Sequence, residues 1–253
     1  MLREERDAIR EGYVGLEDGD LFFFYRPKHD DPHGAGDIER LSIVMHPLGE
    51  RCYRVIKLQS PTLPPEGDPF GMITGEITEV TQKEELVKKQ FDAINEQGRG
   101  GMIHVHPAAR VCAEGVYSFV PHGGRIYLVY LVELPNAPFN IQKELGIQRE
   151  SAFLLGVYNP EYRDEEAAEE SPPDYSADIR KSFGEQRLMF GDVRAMLDYE
   201  RTRIGLFGRN SEVARQHTAD IGPEWERLDT ADIFNKLHVR SERQPVSPLM
   251  GVW

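Results

Sequence analysis

Apolar and polar positions alternate with a period of two along much of the first 160 residues, and this alternation predicts strands. The most apolar stretch is Ile126 to Val132, seven successive positions rich in β-branched and aromatic residues. Ile126, Leu128, Tyr130 and Val132 face one side of a sheet there, and Tyr127, Val129 and Leu131 face the other. With both faces apolar, both need cover, so this ribbon reads as the centre of the fold. Pro121-His122-Gly123-Gly124 separates it from the apolar run before it. Strands are predicted at 21–26, 41–46, 52–58, 72–80, 116–120, 125–134 and 152–158. The three consecutive phenylalanines of the first read as a doubly buried strand. A short turn joins 41–46 to 52–58, which predicts an antiparallel hairpin.

Helical signals are fewer. Thr81-Gln82-Lys83-Glu84 matches a capping box, opening a helix over 82–97 with Val87, Phe91 and Ile94 on one stripe. Residues 2–11 could form a charged helix, and Phe139 to Leu145 one or two turns. In the last third, Ser176 starts a short helix, and Thr202 to Phe207 reads as a short strand. Gly208-Arg209-Asn210 then leads into a helix over 212–221 with Ser211 as N-cap. Thr230 caps another short helix, and the Pro-broken tail ending in Trp253 packs back on the chain.

Together these elements predict an α+β fold: a mixed, mainly antiparallel β-sheet with packed helices and a smaller α/β C-terminal part. The expected organisation is a β-rich core over 1–160 with its capping helix 82–97, an acidic linker over 161–174, and a C-terminal part over 175–253 continuous with the core or beside it. The linker is the one marked shift in composition, EYRDEEAAEESPPD.

Composition narrows the function classes. The 253 residues are 40% hydrophobic and 29% charged, with a formal net charge of −13. An acidic surface repels phosphate backbones and anionic lipid, which argues against nucleic-acid and membrane partners. The N-terminal sequence has no apolar signal core and nothing approaches a membrane span, so a cytoplasmic location is expected. The two cysteines, Cys52 and Cys112, read as buried reduced thiols.

Candidate chemistry is sparse. His104 and His106 form an H-x-H pair whose imidazoles share one side of a strand, an ingredient of a metal site, with His46 as a possible third ligand. The strand–Gly–helix transition at Arg209 and Ser211 could hold an anion at a helix N-terminus. His29, Asp30, Asp31 and His33 sit in a Pro/Gly loop and read as solvated. No nucleophile elbow, H-E-x-x-H, C-x-x-C, P-loop or dinucleotide fingerprint occurs. No particular cofactor is implied.

The stretches FFFYRP, GVYSFVPHGGRIYLVYLVELP, KELGI, SADIRKSF, MLDYERTRIGLFG, ADIFNKLHV and PVSPLMGVW resemble a family of uncharacterised bacterial proteins, over most of the chain from about Leu21 to the end. The shared motifs are fold motifs, and the resemblance implies a bacterial cytoplasmic protein with no activity to carry over. Two function classes remain. One is a non-catalytic protein that binds another protein or a small ligand. The other is an enzyme acting on a small polar or anionic substrate through a histidine-based acid–base or metal site.

Overall fold

The computed structural model describes residues 16–49, 52–68, 70–97, 103–162, 171–218, 231–241 and 244–253. In chain order the strands are β1 (Glu17–Pro27), β2 (Ile38–Pro47), β3 (Tyr53–Leu58), β4 (Met72–Thr81), β5 (Ile94–Gln97), β6 (Ile103–His106), β7 (Arg110–His122), β8 (Arg125–Leu134), β9 (Glu150–Tyr158), β10 (Leu188–Met189) and β11 (Arg203–Arg209). The helices are α1 (Glu84–Lys89), α2 (Asn140–Glu144), α3 (Ala177–Ser182), α4 (Ser211–Thr218) and α5 (Asp232–Asn235).

Eight of these strands close into an antiparallel barrel. The order around the ring is β1-β2-β3-β4-β11-β9-β8-β7 and back to β1. The ring consists of two four-stranded meanders, β1 to β4 and β7-β8-β9-β11, joined edge to edge. The β5–β6 hairpin forms a separate two-stranded sheet, and β10 adds two residues beside β9.

This corrects the α+β expectation. The protein is mostly β, and about 19% of it is helix, in five short pieces among the described residues. The apolar pattern has a different cause from packed helices. A sheet that curls onto itself covers its own inner face, so only the outer face needs other elements. Leu21, Phe23 and Tyr25 of β1 and Leu128, Tyr130 and Val132 of β8 belong to the large inner cluster. Outside, Phe22, Phe24, Val44 and Val55 lie under Val87, Phe91, Ile233, Leu237 and Leu249. Val120, Val129 and Ala152 lie under α4. The ribbon at 126–132 is therefore covered on both sides, as expected, by the barrel interior on one and α4 on the other.

Two glycine sites make the β7–β8 pairing possible. Gly123 and Gly124 have φ of 59° and 75°, the two positive values that a tight two-residue hairpin turn requires. At Gly115, beside a bulge, an added Cβ would stand 2.0 Å from the Leu131 carbonyl oxygen, so only glycine fits.

The predicted helix over 82–97 shrinks to α1, six residues long. Thr81 Oγ1 accepts from the Lys83 amide, not from Glu84. The Arg26 guanidinium donates to the carbonyls of Gln90, Asp92 and Pro107, taking up the Gln90 oxygen that a continuing helix would use. Phe91 then stacks on Phe24 with ring centroids 4.0 Å apart, and the chain turns into β5. The last third is not a separate unit, because β11 is a stave of the barrel between β4 and β9. Trp253 packs edge-on to Tyr25, 5.9 Å between ring centroids. The expected helix at 2–11 and most of the acidic segment, 163–170, lie outside the described residues, as does Thr230.

Candidate functional site

The two mouths of the barrel are built differently. At the mouth where β1 and β3 begin, Arg54 points inward and is 1% exposed. Its Nη1 and Nη2 donate to the two Glu17 carboxylate oxygens at 2.5 and 3.1 Å, and its Nε and Nη2 donate to Asp198 Oδ1 at 2.9 and 2.7 Å. Tyr117 donates to Glu17 at 2.7 Å. Burial works to lower the Arg54 pKa, but the Glu17 carboxylate, helped by Asp198, more than offsets it and the net shift is upward. Burial, then the Glu17 charge, holds the Tyr117 phenol well above its ordinary value. This mouth is bolted by a satisfied ionic cluster.

The opposite mouth carries a cleft of about 610 Å³. It lies between the segment after β3 and the α2–β9 connection. Leu63, Pro65, Pro138 and Ile147 give it apolar walls, and Lys143, Arg149 and Arg209 supply positive charge. Glu66 and Glu144 also line it.

Arg209 is placed here by a bulge. Along β11, Arg203, Gly205 and Phe207 alternate with the inward Ile204 and Leu206, and regular alternation would turn Arg209 outward. The register with β9 slips at Gly208, so Arg209 pairs with the inward Phe153 instead. The side chain is 8% exposed and its guanidinium carbon lies 5.3 Å from the centre of the Phe153 ring. Among the described residues its one hydrogen bond runs from Nη2 to the Gly146 carbonyl, and it has no carboxylate within 4.0 Å. Its Nε is buried without a partner. Burial lowers the Arg209 pKa, yet a guanidinium keeps its proton in proteins. Behind it, Tyr130 and Ser151 face each other across β8 and β9, and both hydroxyls are buried without a well-formed hydrogen bond.

The anion site expected at the start of α4 is already occupied by the protein itself. Asn210, not Ser211, caps the helix: its Oδ1 accepts from the Glu212 and Val213 amides at 3.1 and 3.0 Å. Ser211 donates to Glu66 Oε1, and Gln148 donates to Glu66 Oε2 at 3.1 Å. Those two hydrogen bonds hold the exposed Glu66 carboxyl below its ordinary pKa. Of the two residues singled out at this transition, Arg209 thus reaches the cleft, and Ser211 serves a neighbouring carboxylate.

His46 is not brought to the β6 histidines. His46 stacks on Tyr53 with centroids 4.3 Å apart and lies 3.4 Å from Asp20, near the bolted mouth. His106 lies 3.1 Å from Glu39, at the other end of β2. Seven residue steps along β2, about 24 Å, separate Glu39 from His46. His104 falls in β6 opposite Glu96, and its side chain is outside those described. No group of three or more His, Cys, Asp or Glu that could hold a metal occurs among the described residues. His29 and His33 pair with Asp37 and Asp31 in their own exposed loop. No disulfide joins Cys52 and Cys112, and burial raises the Cys112 thiol far above its ordinary value.

The comparisons decide little. No family model, no curated protein and no solved structure matches the chain. Among the described residues no helix is long and apolar enough to cross a membrane. The cleft therefore has to be read from its own chemistry. What that chemistry offers is one buried cation, a rim of both signs and apolar walls. Sequence reasoning pointed to Arg209 because a helix follows it. It could not see the bulge that turns the residue inward, nor that Lys143 and Arg149 of a distant connection share its cleft.

Proposed function

We propose that this is a cytoplasmic, non-catalytic ligand-binding protein whose open barrel mouth takes up a small organic anion on Arg209. One observation carries the reading: a guanidinium buried at the edge of a 610 Å³ cleft with no carboxylate within ion-pair distance among the described residues, the Glu66 carboxylate of the same cleft being held instead by Ser211 and Gln148. A buried charge without a counter-charge is costly, whereas an arriving anion would offset that cost and gain charge-assisted hydrogen bonds. The apolar walls suit the carbon skeleton of such a ligand, and clefts of this size and mixed lining are the usual form of small-molecule sites. The inner barrel, by contrast, is filled by its own aromatic and aliphatic side chains, so binding belongs to the mouth.

Thermal denaturation in millimolar organic anions at constant ionic strength tests this. A bound anion raises the melting temperature, by linkage, for the wild-type protein. Arg209→Gln is expected to abolish the increase. An increase of equal size in the variant would contradict the proposal.

A further inference from the structure

We propose, resting on the anion reading above, that the ligand is a small monocarboxylate with a short aliphatic tail, gripped through the planar fork of Arg209. Three observations choose a carboxylate over a phosphate. First, three cations line the cleft against two carboxylates, and Arg149 among the cations is engaged with another group, so at most one positive charge is left for a ligand to balance. A phosphate dianion would leave a net negative charge in a chain that already carries −13.

Second, the guanidinium plane is fixed in advance. Phe153 lies under it and the Gly146 carbonyl holds Nη2. A flat guanidinium held in one plane, with its terminal nitrogens as the fork, matches two coplanar oxygens, the geometry of bidentate carboxylate recognition. Third, the backbone donors that would cradle phosphate are taken. The first-turn amides of α4 are capped by Asn210, and the Glu66 carboxylate occupies the adjoining position through Ser211. Leu63, Pro65, Pro138 and Ile147 then remain to enclose the tail.

Calorimetric titration of the intact wild-type protein with acetate, propionate, butyrate, pentanoate, inorganic phosphate and sulfate, at fixed ionic strength, tests the ligand class. Affinity is expected to rise roughly 3- to 4-fold per added methylene until the walls are filled. Butyrate should bind at least about 10-fold more tightly than phosphate, the difference expected when only one anion fits the fork. Arg209→Lys, which keeps the charge and loses the fork, should weaken butyrate by a similar factor. Phosphate binding as tightly as butyrate, or carboxylate affinity flat with tail length, overturns the carboxylate assignment and leaves the anion reading standing. Binding of none of the six anions overturns both. The ranking on wild-type protein decides the matter even if the Arg209 variant does not fold.

Discussion

At the scale of single residues, the two inward arginines show how context sets the role of the same side chain. Arg54 has two carboxylates and a phenol arranged around it, whereas Arg209 has a carbonyl and an aromatic face. Removing one partner of a buried ion pair strands the other, so Arg54→Met is expected to lower unfolding free energy by about 3 kcal/mol in urea titrations. Adding Glu17→Gln to that variant should recover part of the loss, because the stranded carboxylate is then gone. Tyr130→Phe is expected to behave in the opposite way. Its hydroxyl is buried with no well-formed hydrogen bond, so its removal should leave stability unchanged or raise it by up to about 1 kcal/mol. A loss of more than that in the same titration would show that the hydroxyl is hydrogen-bonded. The sequence made Arg209 visible as a residue beside a helix start, but it did not show that His46 and His106 stand at opposite ends of β2. Which end of a strand a histidine occupies depends on register, and one sequence does not state register.

At the scale of elements, the strands were the legible part. Period-two patterning in β1, β2, β3, β8 and β9 comes from side chains packed alternately inside and outside the barrel, and the sequence carries that directly. After Thr81 the sequence suggests a longer helix than α1, because Val87 and Phe91, one turn apart, are both buried as a helical stripe would be. What ends α1 is a side chain 64 residues away in sequence, Arg26, reaching the Gln90 carbonyl. Local signals do not contain that contact. Helix α4 offers a test of packing through pH. Burial, with the His122 ring nearby, lowers the His217 pKa below its ordinary value. The folded state therefore binds fewer protons than the unfolded chain, and the stability this gives is fully present above about pH 6.5 and falls as pH drops below it. Urea midpoints at pH 7.5 and 5.5 should differ more for wild type than for His217→Gln.

At the scale of the whole molecule, closure of the sheet is what the sequence concealed. A strand covered on both faces gives the same apolar run whether helices sandwich it or the sheet curls to enclose it. The deciding contacts, β1 with β7 and β4 with β11, join segments about 90 and 130 residues apart. They leave no periodic trace of their own. Closure also explains why the last third cannot be spared. A chain ending at residue 200 would lack β11 and expose the pairing edges of both β4 and β9. Exposed edges recruit other chains, so that truncation is expected to aggregate on expression. Recovery of a monomeric, cooperatively melting fragment would show that β11 is dispensable.

The opposed mouths have a practical corollary. The Gly123-Gly124 turn is solvent-exposed and stands at the bolted end of the ring, a full strand length from Arg209 and its cleft. A cysteine introduced beside the two glycines, at the exposed Arg125, for tethering to a surface would leave the cleft end pointing away from the support. Oriented in that way, the barrel could serve as an immobilised sensor in which every tethered copy stays open to solute.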